Sequence, residues 1–158
     1  MNQPFSLYRL NKGITLIELL VVIAIVGVLS AVILSSLNSA RTKGGDANIK
    51  ANLITIRSQS AIYYDAQNPE SYGSFSLASC PNATSTASGM FVDLRIINAL
   101  NSAVAQGSGV SRCVAANGSY AVAMGLKNGT QSWCVDAQGS SKLYNGLPSA
   151  AITISSCN

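Results

Sequence analysis

Residues 14–34 read ITLIELLVVIAIVGVLSAVIL, 21 positions in which only Thr15, Glu18 and Ser30 carry polar side chains. As an α-helix such a run crosses a hydrocarbon core of about 30 Å. In lipid a lone segment has no other way to satisfy its backbone hydrogen bonds, so the run reads as a membrane span. Glu18 is the anomaly, because an ionised carboxylate near the end of a lipid-buried helix costs about 2–4 kcal/mol unless something pairs with it. Either it lies about one turn from the helix start and snorkels to the headgroups, or it has a partner.

The flanks of the run bear on that choice. A secretory signal places its apolar stretch before a small-residue cleavage site and is removed with it. Here the polar leader MNQPFSLYRLNKG comes first and the small residue, Gly13, precedes the apolar run. A cut after Gly13 would leave the hydrophobic helix on the mature protein. Arg9 and Lys12 place the leader on the cytoplasmic side, while Arg41, Lys43 and Lys50 beyond the run reduce that asymmetry.

The 158 residues leave room for one modest domain on this stem. Only 10% of the chain is charged, which favours packing against copies of itself. Without the leader's Arg9 and Lys12, eight basic side chains face six acidic ones, too small an excess to support nucleic-acid binding. Cys80, Cys113, Cys134 and Cys157 are an even set beyond the membrane-length segment, which reads as two disulfides formed in an oxidising compartment. With histidine absent and no close thiol pair, a zinc site is the lesser reading.

Catalytic chemistry finds little purchase. The absence of histidine removes the usual general base and the Ser-His-Asp arrangement, and the scattered acids form no recognisable dyad. No enzyme, metal or cofactor is expected. Asp136, in CVDAQGSS, reads as a turn-forming side chain ahead of a calcium ligand. Asn-x-Ser/Thr triplets begin at Asn82, Asn117 and Asn128, where turn chemistry explains the asparagines. Tyr63, Tyr64, Tyr72, Phe75, Tyr120, Trp133 and Tyr144 read as packing between helix and sheet ahead of a nucleic-acid stacking surface.

Past Leu34 the chain turns polar but keeps Leu37, Ala40, Ala47, Ile49, Leu53, Ile56 and Tyr63, close to a helical period. One helix over residues 15 to 66 is predicted, loosened at Gly44-Gly45, its second half covering a small antiparallel sheet. Residues 68–89 read as a connecting loop. A short helix ending near Gln106 competes with a strand over FVDLRII. Asn128-Gly129 marks a hairpin in which both residues accept positive φ, and Asn117-Gly118 marks a second turn. With further strands at residues 110–115 and 151–155, the sheet has three or four strands. Simple hairpins put Cys113 opposite Val122 and Cys134 opposite Ala123, on different faces, which favours pairing Cys80 with Cys113 and Cys134 with Cys157.

Lys12-Gly13 followed by Ile14-Thr15-Leu16-Ile17-Glu18-Leu19-Leu20-Val21-Val22 resembles the class III signal of type IV pilins and the related pseudopilins. The likeness covers roughly residues 9 to 45 and weakens towards Tyr64. It implies an α+β pilin fold: a leader (1–13), a transmembrane and filament-core helix (14–34), its amphipathic continuation (35–66) and a disulfide-stapled head (67–158). It implies cleavage between Gly13 and Ile14 by a prepilin peptidase, which also methylates the new N-terminus, here isoleucine where most relatives carry phenylalanine. Glu18 would pair with the Ile14 ammonium of a neighbouring subunit, fixing register as a buried polar residue does in a coiled coil.

Gly27 keeps a position of helix flexibility, while Ser35 stands where many pilins have proline, a departure shared with pseudopilins. The resemblance further implies an inner-membrane precursor, an assembly platform with its ATPase, and a homopolymeric surface filament serving adhesion, motility, DNA uptake or secretion. Nucleic acid would enter only as a ligand of the filament. The alternatives are a type II secretion pseudopilin and, from another class, a single-pass anchored periplasmic binding domain that never polymerises.

Overall fold

A computed structural model describes residues 13–82 and 87–158 of the chain. Residues 1–12, with Arg9 and Lys12, lie outside the described residues. Two compact units divide within the first helix, one ending at Ser39 and the other formed by Ala40–Asn158.

Helix α1 runs over Leu16–Asp65. Its described residues up to Ser39 are all exposed, with Leu16, Ile23 and Val28 each more than 60% accessible. In the second unit the same helix buries Gly45, Ile49, Leu53, Ile56 and Ser60, a stripe of four-residue steps with one of three between Leu53 and Ile56. The helix is not loosened at Gly44-Gly45. A Cβ on Gly45 would lie 3.1 Å from Lys127 Cδ and 3.3 Å from the Gln106 carbonyl, so the glycine serves a close approach across the helix surface. Beside it, the Asp46 carboxylate accepts from the Lys127 N–H at 2.9 Å.

The sheet is an antiparallel meander in the order β1-β2-β3-β4-β5, with β1 at Phe75–Ala78, β2 at Ser111–Ala116, β3 at Ser119–Gly125, β4 at Ser132–Asp136 and β5 at Ser141–Tyr144. Five strands replace the three or four expected. Strand β1 lies inside the stretch read as loop, because its four residues are mostly exposed and its register against β2 is irregular, which leaves no alternation to detect. Strand β5, SKLY, is an equally short edge strand.

Between β1 and β2, Asp93 ends the strand reading of FVDLRII. Its carboxylate accepts from the N–H groups of Arg95 (2.8 Å) and Ile96 (3.3 Å), capping helix α2 over Leu94–Gln106. The expected strand at 151–155 is instead a small separate ribbon of β6, Ile152–Thr153, and β7, Ser156–Cys157, with Ile154 between them at φ 59°.

Register follows the turns. Cys113 pairs with Val122 and Ala123 with Cys134, as simple hairpins require. The β3–β4 connection nonetheless works differently from a two-residue Asn-Gly turn. Gly129 alone takes positive φ (73°), and Asn128 acts through its side chain, which accepts from the N–H groups of Thr130 and Gln131 at 3.1 Å each.

Alternation along β2 to β4 sends side chains to two cores. Cys113, Ala115, Tyr120, Val122, Met124 and Val135 pack under α1 and α2 with Ile49, Leu53, Ile56, Phe91 and Leu100. Val114, Ala121, Ala123 and Cys134 point the other way, beneath Ala151 and Ile152 of the C-terminal segment. The disulfides follow this split: Cys80 bonds to Cys113 on the helix side and Cys134 to Cys157 on the ribbon side, the pairing favoured from sequence.

Two buried polar groups make this arrangement sensitive to change. Asp136, 1% exposed, accepts from Ser140 N–H at 2.9 Å and from Cys157 N–H at 3.0 Å, tying the β4–β5 turn to the last strand. Replacing it by alanine leaves both N–H groups without that acceptor. Asp136→Ala is expected to lower unfolding stability by roughly 2–4 kcal/mol, read from urea midpoints.

Tyr120 is 1% exposed, and burial pushes its phenol up to about 12, with the Ser60 hydroxyl pulling back and Tyr72 adding to the rise. Above pH 10 the unfolded chain releases a phenolic proton that the folded chain keeps, so this contribution is complete below pH 10 and lost as pH climbs towards 12. The loss amounts to about 2–3 kcal/mol, and Tyr120→Phe should remove that part of the slope in denaturation midpoints measured from pH 9 to 11.

Candidate assembly site at the start of the apolar helix

The first turn of α1 is built by a four-residue pattern, Thr15-Leu16-Ile17-Glu18. The Thr15 N–H and the Thr15 hydroxyl both donate to Glu18 Oε2, at 2.9 Å each, and the Glu18 N–H faces Thr15 Oγ1 at 3.3 Å. This is a capping box: two of the N–H groups that a helix start leaves without partners are satisfied reciprocally. Thr15 is not among the site residues expected from the sequence, although Thr-x-x-Glu before an apolar run is the signature of this box.

The box decides how the carboxylate is presented. Oε2 is occupied by Thr15, and Oε1 takes none of these bonds. Gly13, Ile14, Glu18, Leu19 and Val22 line a shallow open depression around it. Ile14 is 78% exposed beside this carboxylate. Among the described residues nothing demands the two predicted glycines for packing, since a Cβ on Gly13 or on Gly27 meets none of them within 4 Å. Helix α1 passes without interruption through both Gly27 and Ser35.

The head collects the remaining candidates for structural work. Asp136 has a proton donor on each carboxylate oxygen and acts in the turn. Tyr63, Tyr72, Phe75 and Trp133 pack against the helix-side core, with the Tyr72 ring 4.9 Å from Tyr120 and Tyr64 4.5 Å from Tyr72. Tyr144 lies on the opposite face. Trp133 also carries Lys50 Nζ 4.5 Å above its ring. Among the described residues no three of His, Cys, Asp and Glu gather as a metal-binding group.

Comparison with known families adds one match. The prokaryotic N-terminal methylation motif aligns with residues 8–34, which takes in Gly13, Ile14, the capping box and the whole apolar run. No curated protein and no solved structure matches the chain. The fold of the head is therefore read from its own packing. Residues 8–34 thus carry the class III signal of the type IV pilins, at the start of a long apolar helix.

Proposed function

We propose that this chain is a structural subunit, without catalytic activity of its own, that polymerises through its N-terminal helix into a type IV pilus-like filament. The observation that carries the reading is the methylation motif at residues 8–34 on a helix whose apolar side chains the chain itself leaves uncovered. The prepilin peptidase hydrolyses the Gly13–Ile14 amide with water, releasing residues 1–13, and the freed Ile14 amine takes a methyl group from a sulfonium methyl donor, giving up a proton as the donor leaves as a thioether. The precursor waits in the inner membrane until the assembly platform and its ATPase draw it into a filament that reaches the cell surface.

Cleavage places a new ammonium in apolar surroundings, where it needs a counter-charge. Glu18 of a neighbouring subunit supplies it. Thr15 clamps Oε2 and leaves Oε1 towards the incoming amine, so the carboxylate meets its partner with little side-chain freedom left to lose. An unpaired charge at a helix contact costs about 3–5 kcal/mol, so the pair penalises misaligned packings more than it strengthens the aligned one.

A second reading, a type II secretion pseudopilin building a short periplasmic fibre, is favoured by the serine at position 35 and the unbroken helix through it. Long filaments of this chain sheared from cells would decide for the pilus.

Glu18→Ala is expected to insert in the membrane as the wild type does and to fail in filament formation. Assembled wild-type protein should begin at a methylated Ile14 in intact-mass spectrometry; assembled material that retains residues 1–13 would sink the reading. Thr15→Val keeps the charge of Glu18 but removes the hydroxyl from the clamp. It should reduce filament yield without abolishing it, with Thr15→Ser restoring the wild-type level.

A further inference from the structure

Asn-Gly occurs three times in the chain, at Asn117-Gly118, Asn128-Gly129 and Asn145-Gly146, and all three asparagines are exposed. The pair is chemically reactive because glycine has no Cβ to keep its nitrogen away from the carbonyl carbon of the asparagine side chain. Exposure does not separate the three sites. Their hydrogen bonds do.

Asn128 is held at both polar atoms of its side chain. Its Oδ1 accepts from the N–H groups of Thr130 and Gln131, its Nδ2 donates to Gln131 Oε1 at 2.9 Å, and the Gly129 N–H donates to the Leu126 carbonyl at 3.0 Å. Asn145 accepts at Oδ1 from Gln131 Nε2 at 2.8 Å, and the Gly146 N–H donates to the Tyr144 carbonyl at 3.1 Å. In the β2–β3 turn these restraints are missing. Among the described residues the Gly118 N–H and Asn117 Nδ2 donate to no partner, and Asn117 Oδ1 takes one long bond, from the Ser71 hydroxyl at 3.4 Å.

The glycines differ as well. Gly129 takes φ 73°, and a Cβ on Gly146 would lie 2.8 Å from the Tyr144 ring, so both of those turns need glycine for their shape. Gly118 meets neither demand: its φ is not positive, and a Cβ on it reaches none of the described residues within 4 Å.

We propose that Asn117 is a site of self-modification, deamidating through a cyclic imide closed by the Gly118 nitrogen. That nitrogen bonds to Asn117 Cγ, the Cγ–Nδ2 bond breaks, and Nδ2 leaves as ammonia with the proton that Gly118 gives up. Water then adds to either imide carbonyl and opens the ring, giving aspartate or isoaspartate. Either product adds a carboxylate to an exposed turn of the head. Isoaspartate also routes the main chain through Cγ, and the former main-chain carbonyl, which accepts from the Tyr72 N–H at 3.0 Å, becomes the free carboxylate. The Tyr72 ring lies 4.9 Å from Tyr120, so an aged head differs from a new one in charge and in its hold on this aromatic pair. The reaction runs within one chain and does not depend on polymerisation.

The test keeps the full-length chain folded in detergent micelles in mildly alkaline buffer and follows the three asparagines over time by peptide mapping with mass spectrometry. Conversion at Asn117 should outrun that at Asn128 and Asn145 by at least about tenfold, the factor that one net hydrogen bond of about 1.4 kcal/mol supplies. Gly118→Ala should keep the wild-type thermal unfolding and slow conversion at Asn117 by at least about tenfold, because the added methyl group obstructs the attacking nitrogen. In urea, where the turns are lost, the three sites should convert at similar rates.

Equal rates at the three sites in the folded chain overturn the assignment. So does a lead of Asn117 that survives unchanged in urea, since it would then come from the neighbouring residues in sequence and not from the fold. A folded Gly118→Ala variant that converts as fast as the wild type overturns the imide route.

Discussion

A helix with no buried residue from Leu16 to Ser39 needs something other than its own chain to cover it. That uncovered apolar surface is the constraint behind the rest of the molecule. Lipid can cover it before assembly and other helices afterwards, and both are surroundings in which a charge is costly and a backbone bond cannot be left open. The capping box answers both demands at once, satisfying N–H groups of the first turn and holding Glu18 in one place.

The head meets the opposite problem, because a small domain has little core to work with. It packs both faces of a five-stranded sheet, one under two helices and the other under the C-terminal segment. Each face is fastened by its own disulfide, and Asp136 adds backbone bonds that close the ribbon onto β4. In the proposed filament this head is the part that meets water.

How well each element could be read from the residues depended on where its signal resides. The apolar run, the helix stripe from Ile49 to Ile56 and the register around Cys113 and Cys134 all rest on periodicity, which survives in one dimension. Strands β1 and β5 are four residues long and lie at sheet edges, where partners supply the order that sequence alternation does not. Asn128 was legible as a turn residue but not in its mode of action, because a side-chain acceptor and a left-handed backbone leave the same letter in the chain. The Thr15 cap is legible as Thr-x-x-Glu ahead of an apolar run, but that Glu18 closes on Thr15 within its own chain depends on the first turn being formed.

By itself, then, the sequence determined the class of the molecule. A 21-residue apolar run behind Gly13, with Glu18 in its first turns, restricts the surroundings that this segment can occupy through length and hydropathy alone. Tertiary structure decided what depends on residues far apart in the chain meeting: which sheet face each cysteine shares with its partner, what Asp136 binds, and which side of α1 stays in water. Helical spacing identifies the sides of a helix, but only the packing of the sheet against one of them decides that Ile49 is buried and Ile54 is not.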